Sequence, residues 1–511
     1  MINRASFVRK HNIFFGAIGV FLLIVLSYGN SLGNGFAMDD YAMLVYKNET
    51  PLLELFQLDF AKLTGASSGK SRVLYFRPLA HFVPWLETRV FGPNIVGYHL
   101  FNFLLFYLCS LILAGTVYVI SRDRALSWLS AGFFAVHPIN GVLVNYLTAA
   151  HYTIIILCLN VALSAFLLGM GPRASAWGVG RKWVFYAVSL LAFGAALLGH
   201  ETALMFPLYL AALLYFVQKL PWLETLKRII PFLVVAGVYL LARLKVASLV
   251  TSTVDSISFF QMDLLKYAGT LVVLLGAYLD NLIFLKDIVL IRSTPLLESH
   301  VFVLIAMVVL GLAGCWYLVV KVWGRDIKSM ALCWILIGFL PLPLGALSRK
   351  NLGIIMEPHW FLFSAVGYVV LLSAAFVYLK NRWRRTLWVF SVAFQLLVLI
   401  VSSRYYNEFV WGDEKKHCRH MLAFNPQMRL VHYWLGCAYI REQQWGPAKA
   451  HFLQALGNTV EDWRVWLNLG FIEMSRANFD LAKEYFNRSL QLNPDSKKAV
   501  YNLQLIERAR K

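Results

Sequence analysis

The sequence predicts an all-α protein in two parts, a polytopic bundle of membrane helices followed by an array of helical repeats. Of the 511 residues, 59% are hydrophobic and only 14% are charged, whereas soluble domains contain about 25% charged residues. Apolar runs long enough to cross a bilayer recur over residues 1–402, and a 34-residue repeat occupies 403–511. This composition excludes an ordinary soluble enzyme.

Apolar runs of about 17–25 residues predict eleven membrane spans. The first is expected to be an uncleaved anchor, because no small-x-small cleavage site follows it before Asp39. The run 264–285 carries Lys266, Asp280 and Lys286, so it is interpreted as an interfacial or re-entrant segment on the outer face. The eleven predicted spans lie near 12–29, 98–120, 126–148, 151–170, 183–199, 202–218, 229–248, 299–320, 329–346, 360–379 and 386–402.

The distribution of charge orients this bundle. A net charge of +20, from 47 Lys and Arg against 27 Asp and Glu, would suggest nucleic acid as the partner of a soluble protein. In a membrane protein, however, cytoplasmic loops collect Lys and Arg whatever the function. With a cytoplasmic N-terminus, eighteen basic residues fall in six short inner segments, and thirteen of the sixteen acidic residues before position 403 fall outside or at outer helix ends. We therefore expect no nucleic-acid partner and an extracytoplasmic site.

The C-terminal part, 403–511, reads as a soluble domain with 16 basic and 11 acidic residues. Its 34-residue period matches the tetratricopeptide repeat, in which two antiparallel helices touch at small residues. Residues 404–426 are expected to form a partial first repeat and 496–509 a capping helix. Such arrays usually bind protein segments, and the alternative is a purely structural lid; the loop count places either outside the cytoplasm. The repeating positions are Gly436, Ala448 and Phe452, then Gly470, Ala482 and Phe486.

The first outer loop, roughly 30–97, is the longest non-apolar stretch of the membrane part, and loops of this length are usually functional. It begins with Asp39 and Asp40, a pair that suits a general base, a divalent-metal site or a solvated helix cap. Arg77 precedes an apolar helix in the same loop. His137 lies in a hydrophobic stretch, where a titratable side chain is costly unless it lines a cavity, although such a histidine more often packs than catalyses.

Other common site motifs are absent from the sequence. There is no phosphate-binding glycine loop ending in Lys-Ser or Lys-Thr and no Cys-x-x-Cys spacing, so nothing indicates a nucleotide site on the inner face or a zinc site. Four of the six cysteines lie in apolar spans. Cys418 and Cys437 lie in the repeat tail, where they could pair across adjacent helices.

Five short motifs follow one another along the chain ahead of the repeat tail. They are Asn34-Gly35-Phe36-x-x-Asp39-Asp40, Phe76-Arg77-Pro78-Leu79, Tyr98-His99-Leu100-Phe101-Asn102, His137-Pro138, and Glu201 with Pro207 six residues on. In this order they resemble the multi-spanning glycosyltransferases of the GT-C fold. The nearest resemblance is to the transmembrane, tetratricopeptide-repeat O-mannosyltransferase-like proteins and their bacterial relatives.

The resemblance implies an activity. Members of that fold take a sugar from a polyprenyl-phosphate carrier and place it on an acceptor on the lumenal or periplasmic face, and an acidic residue of the first outer loop is the catalytic base. By resemblance, that role falls on Asp39 and Asp40. The implied reaction inverts the anomeric centre, and the implied acceptor is a Ser or Thr hydroxyl of a protein that docks on the repeats. A divalent metal at the Asp pair stays an option, and a bacterial inner membrane is favoured over an endoplasmic reticulum.

The phosphate of such a donor needs cations that face outward near the end of a span. Arg77, Arg292, Arg349, Lys350 and His359 meet that description. We expect them to supply the donor-phosphate site.

The groove between donor and acceptor is expected to include His137, His151, Glu201 and Glu357. The chain departs from the family pattern here. Where relatives carry Glu-Arg before an aromatic helix start, this chain has Glu357-Pro358-His359, so His359 or Arg349 would have to replace the arginine. Relatives also carry Lys-Glu where this chain has His-Glu, and they carry a Glu and an Arg after the His-Pro motif where this chain does not. These departures bear on the identity of the sugar rather than on the fold.

Two other functions fit parts of the sequence. A non-catalytic membrane scaffold would use the bundle as an anchor and the repeats to recruit partners. A ligase of lipid-linked oligosaccharides would rely on a large late outer loop, but 347–359 is short. We therefore rank lipid-linked sugar transfer first.

Overall fold

The computed structural model describes residues 4–41, 76–171, 179–248, 264–294, 324–341, 354–456 and 462–509, with isolated helical residues between 309 and 317. The predicted all-α class is confirmed. The α-helices of the described part are α1 (Arg4–Tyr28), α2 (Pro78–Phe91), α3 (Ile95–Ser121), α4 (Arg124–Val136), α5 (Gly141–Asn145), α6 (Ala150–Met170), α7 (Val179–Leu197), α8 (Phe206–Phe216), α9 (Trp222–Ser248), α10 (Leu264–Leu279), α11 (Ile327–Ile337), α12 (Leu362–Lys380), α13 (Arg385–Tyr406), α14 (Glu414–Phe424), α15 (Arg429–Arg441), α16 (Trp445–Leu456), α17 (Trp463–Ser475), α18 (Phe479–Leu492) and α19 (Lys497–Ala509).

Short elements connect these helices. Strand β1 (Arg292–Thr294) pairs antiparallel with β2 (Ile354–Met356), with Ser293 opposite Ile355, and this pairing ties the segment after α10 to the segment that enters α12. The remaining short elements are tight helical turns at Gly29–Gly33, Pro138–Asn140, Leu147–Ala149, Glu201–Met205 and Pro358–Phe361, and π-helical turns at Asp280–Phe284 and Asn407–Trp411.

The predicted count of eleven spans is not confirmed. In the described residues, seven helices are long and apolar enough to cross a membrane, or eight if one bent pair counts as a single span. That bent pair is the predicted span 126–148, which turns by 57° after Val136 because Pro138 cannot continue a helix. Within the described residues, the predicted spans 202–218 and 329–346 correspond to short apolar helices. The helix α7, which overlaps the predicted span 183–199, is not among the seven. The predicted span 299–320 lies almost wholly outside the described residues.

The segment 264–285 was expected to be interfacial or re-entrant, but Lys266–Phe284 meets the length and composition of a span. Residues 249–263, which join α9 to this segment, lie outside the described part of the chain. The interfacial or re-entrant placement therefore stays a prediction.

The bundle packs through small residues and aromatic side chains, as expected where lipid supplies no hydrophobic force between helices. A Cβ at Gly367 on α12 would lie 2.7 Å from the Ala331 carbonyl oxygen of α11, so only glycine allows this approach. The buried Trp334 of α11 donates its indole N–H to the Tyr209 carbonyl of α8 at 2.9 Å. Apolar side chains cover the outer surfaces of α1 and α13, among them Phe14, Phe15, Leu22, Phe390, Phe394 and Val401, which suits contact with acyl chains.

The C-terminal helices repeat one packing contact. On α15, Gly436 lies against the ring of Phe452 from α16, and 34 residues later Gly470 on α17 lies against Phe486 from α18 in the same way. In both places a Cβ would come within 3.0 Å of the ring. The period seen in the sequence therefore corresponds to a repeated close contact between helices.

The cysteines of this domain do not pair. Cys418 on α14 and Cys437 on α15 are both free thiols. Cys418 is fully buried, and burial raises its pKa well above the usual value, so this thiol behaves as a small core residue.

We predict that Gly470→Ala destabilises the repeat domain by about 1–3 kcal/mol, because overpacking a filled core carries a cost of that size. The new methyl group would lie 2.7 Å from ring atoms of Phe486, whose side chain is fully buried in the packed core. Thermal unfolding of the full-length protein in detergent, with hydrogen exchange over α17 and α18, measures the effect. Gly446→Ala is the matched control, because nothing lies within 4 Å of its Cβ position; equal effects of the two changes would contradict the prediction.

Candidate functional site

The carboxylate pair of the first loop lies on a tight turn after α1. The turn closes through the Asp40 amide, which donates to the Ala37 carbonyl at 3.0 Å. Its second position, Met38, has a φ of 53°, in the left-handed region that non-glycine residues seldom occupy. The turn therefore needs support from residues elsewhere in the chain.

The Asp40 carboxylate supplies part of that support. Asp40 is only 2% exposed. Its Oδ2 accepts the Ala37 amide at 3.2 Å, and its Oδ1 accepts the Thr148 amide at 2.9 Å. Thr148 belongs to the Leu147–Ala149 turn at the start of α6, so one carboxylate joins the first loop to the bundle.

Burial raises the pKa of Asp40 to about 7 from an ordinary value of 3.8, although the hydrogen bonds from the Thr148 and Ala37 amides lower it. A carboxyl with such a pKa exchanges its proton near neutral pH.

Asp39 differs from its neighbour in both exposure and partners. It is exposed, and its Oδ1 accepts the indole N–H of Trp434, on α15, at 3.1 Å. Its carboxylate therefore lies where the bundle meets the repeat domain.

A cluster of three histidines around Tyr152 lies next to the carboxylate pair. The ring centroid of Tyr152 is 4.1 Å from that of His151, 4.1 Å from that of His359 and 5.2 Å from that of His200. All three histidines are buried. His151 Nδ1 lies 2.7 Å from the carbonyl oxygen of Thr148, the residue whose amide binds Asp40. The cluster and the carboxylate pair thus meet at one residue of the bundle.

Glu201 adds a charged group beside the histidines. Its Oε2 lies 2.6 Å from Arg77 Nη2 and its Oε1 lies 2.9 Å from Arg243 Nη1. Burial would raise the pKa of Glu201, but the charges of Arg77 and Arg243 more than offset it, and the pKa lies below its usual value. Two guanidinium groups against one carboxylate leave this group with a net positive charge.

The structure does not bring every predicted residue into this cluster. His359 is present and pairs with Glu357 at 2.7 Å, whereas Arg349 and Lys350 lie outside the described residues. His137 packs between helices instead: its Nε2 lies 3.0 Å from the Leu282 carbonyl oxygen, and its Nδ1 accepts the Ile139 amide at 3.2 Å. Arg292 lies over the ring of Phe424 in the repeat domain, 4.2 Å from its centroid.

No group of three or more His, Cys, Asp and Glu side chains in the described residues has an arrangement that would hold a metal ion. Both Asp40 oxygens accept backbone amides instead. Within the part of the chain that the structure describes, no further side chains complete a metal site at the Asp pair.

Sequence reasoning missed four residues of this region. Arg243 and Tyr152 lie in apolar helices and belong to none of the motifs described in the sequence analysis. Glu414 and Trp434 lie in the repeat domain, far along the chain from the first loop. A charged residue near the end of an apolar helix was the only available signal, and it applies to Arg243 alone.

Comparisons with known proteins find two likenesses. The family model of the tetratricopeptide repeat matches residues 464–496, which cover α17 and α18. A protein O-mannosyl-transferase of Caenorhabditis elegans is 26% identical over 131 residues, which represent 23% of this chain and 18% of that protein. The alignment thus spans less than a fifth of the relative. Together these findings support a likeness to tetratricopeptide-containing O-mannosyltransferases and a glycosyltransferase-like function.

We predict that Asp40 makes the stability of the protein fall as the pH rises from about 4 to about 7. In that interval the folded carboxyl holds a proton that the unfolded one has released, so raising the pH favours unfolding, by at most about 4 kcal/mol. Asp40→Asn matches the protonated carboxyl and removes this titration. The difference in melting temperature between Asp40→Asn and the wild type, measured in detergent, should therefore shift in favour of Asp40→Asn as the pH rises from 5 to 8. Parallel pH profiles would rule this out, and Asp495→Asn, at an exposed carboxyl, is the control.

Proposed function

We propose that this protein transfers a sugar from a polyprenyl-phosphate donor to an acceptor hydroxyl, as an inverting glycosyltransferase of the GT-C type. One observation carries the proposal: Thr148 joins the first-loop carboxylates to the histidine cluster, because its amide binds Asp40 and its carbonyl meets His151. A base and a group of cationic and titratable side chains thus lie side by side at one end of the bundle. The likeness to an O-mannosyl-transferase supports the same class of reaction.

Asp39 is the proposed base, and Asp40 is the residue that holds the turn. Both oxygens of Asp40 accept backbone amides and the residue is buried, whereas Asp39 is exposed and its Oδ1 accepts the indole N–H of Trp434. In the reaction, Asp39 takes the proton of the acceptor hydroxyl while the hydroxyl oxygen bonds to the anomeric carbon. The bond from that carbon to the phosphate oxygen breaks, and its electron pair leaves with the phosphate. Attack opposite the leaving group inverts the anomeric centre.

The phosphate leaving group makes a general acid unnecessary. A phosphate monoester is stable as an anion, so cations that hold it can replace a general acid. Arg77 and Arg243 supply a net positive charge around Glu201, and His200 and His359 lie beside them. We assign the donor phosphate to this group, with Arg349 and Lys350 as further candidates.

The same topology argument that orients the bundle places the reaction outside the cytoplasm, in a bacterial inner membrane or an endoplasmic reticulum. A sugar carried on a lipid could reach such a site from within the bilayer. The repeat domain, as a helical solenoid on the same side, would present the acceptor, a Ser or Thr of a protein. Its Trp434 already lies against Asp39, which puts the edge of the array beside the proposed base.

We predict that Asp39→Asn abolishes sugar transfer while leaving membrane insertion intact. General bases contribute about 10²–10⁴-fold to rate, so transfer should fall by at least about 100-fold. Membranes that contain the full-length protein are incubated with radiolabelled polyprenyl-phosphate mannose, and label on protein is measured together with O-linked hexose by mass spectrometry. Glu484→Gln, at an exposed carboxyl of α18, is the control.

Full activity of the Asp39→Asn variant would remove the proposed base. No transfer by the wild type with any polyprenyl-phosphate sugar, together with loss of a cellular phenotype only on deletion of 403–511, would instead favour the scaffold.

We also predict that Arg77→Gln raises the KM for the donor by about tenfold or more, as expected for loss of a charge-assisted hydrogen bond. Arg77 also neutralises Glu201, so the double variant Arg77→Gln with Glu201→Gln separates the two roles. The double variant should stay impaired if Arg77 contacts the phosphate. Recovery of a normal KM in the double variant would show that Arg77 serves only Glu201.

A further inference from the structure

The repeat domain contacts the carboxylate turn of the first loop through its first two helices. Glu414 stands at the start of α14, and Trp434 and Arg441 lie on α15. Each of the three touches a residue between 38 and 41, and these contacts join parts of the chain that are 376 to 400 residues apart.

Glu414 holds the strained position of the turn. Its Oε1 accepts the Met38 amide at 2.7 Å, and Met38 is the residue with a φ of 53°. A non-glycine residue keeps such a backbone conformation only where its surroundings determine it. Here the determining acceptor is a carboxylate from the repeat domain, and bonds between a backbone amide and a carboxylate are among the stronger ones in proteins.

Arg441 orients this carboxylate from the other side. Its guanidinium pairs with Glu414 Oε2 and lies over the ring of Tyr41, 3.9 Å from the ring centroid. Glu414 is thus held between the Met38 amide and Arg441. With its charge compensated on both sides, it can stay in place although it is largely shielded from solvent.

Trp434 acts on the carboxylate itself. Its indole N–H donates to Asp39 Oδ1 at 3.1 Å. A fixed donor on one oxygen limits rotation of the carboxylate, and catalytic groups must hold their geometry closely to be effective.

We propose that Glu414 and Trp434 are positioning residues for the first-loop carboxylates, so that the repeat domain completes the site instead of only standing beside it. Glu414 sets the turn at Met38, and Trp434 sets the direction of Asp39. The geometric part of this proposal stands by itself, whereas its consequence for turnover rests on the proposed function.

Hydrogen exchange in the purified full-length protein tests the geometric part. In Glu414→Ala, the amides of residues 34–41 should exchange about tenfold faster, as expected when a hydrogen bond to a charged group is lost. Glu414→Gln keeps an oxygen for the Met38 amide and should restore most of the protection. Glu473→Ala is the matched control, because Glu473 is a buried carboxylate that pairs with Lys449 at 2.7 Å within the repeats.

Unchanged exchange at 34–41 in Glu414→Ala would overturn the proposal. An equal increase in Glu473→Ala would also overturn it, because the effect would then be a general loosening of the repeat domain. Faster exchange in Glu414→Ala alone, with protection restored by Glu414→Gln, supports it.

Kinetics with polyprenyl-phosphate mannose test the consequence. Trp434→Phe keeps an aromatic ring but removes the indole N–H. We therefore expect kcat to fall about tenfold while the KM for the sugar donor stays within about twofold. A rise in KM with kcat unchanged would contradict a positioning role for Trp434. Absence of any transfer by the wild type, combined with the exchange result expected for Glu414→Ala, would leave the positioning of the turn established and refute the proposed function instead.

Discussion

The candidate site depends on one interaction, the hydrogen bond that the Thr148 amide donates to the buried Asp40 carboxylate. Burying a carboxyl without partners is costly, and hydrogen bonds offset that cost only where the geometry is good. Asp40 meets this condition with two backbone amides, one from its own turn and one from the bundle. Because Thr148 also meets His151 through its carbonyl, this one residue determines how far the carboxylate pair lies from the histidine cluster.

Two groups of opposite net charge lie at this end of the bundle. Asp39 and Asp40 are the carboxylates of the first-loop turn, while Arg77 and Arg243 outnumber Glu201, which they hold between them. If each arginine had paired with a carboxylate of its own, the second group would have no net charge to offer an anionic ligand. The excess of arginine around Glu201 keeps one region positive, and the carboxylates keep the adjacent region negative. Such an arrangement suits a reaction in which a proton leaves one reactant as an anion leaves the other.

The sequence predicted the parts of this protein that follow a local rule. The 34-residue period corresponds to the Gly436–Phe452 and Gly470–Phe486 contacts, because in each repeat two helices approach closely and a phenylalanine ring packs against a glycine. Counting spans was less successful, since a run such as 126–148 is apolar throughout yet bends at a proline. Hydropathy measures whether residues tolerate lipid and says little about whether they form one straight helix.

The site was predictable only in part, for the same reason. Asp39 and Asp40 stood out because they are neighbours in a long outer loop, and His151, Glu201 and His359 stood out through motifs. Their assembly into one cluster, like the packing of His137 between helices, depends on tertiary contacts with no period in the sequence. Glu414 and Trp434 follow the carboxylate pair by more than 370 residues. If Glu414 and Trp434 position the turn as proposed, the turn that presents the proposed base takes its observed form only once the start of the repeat domain has docked.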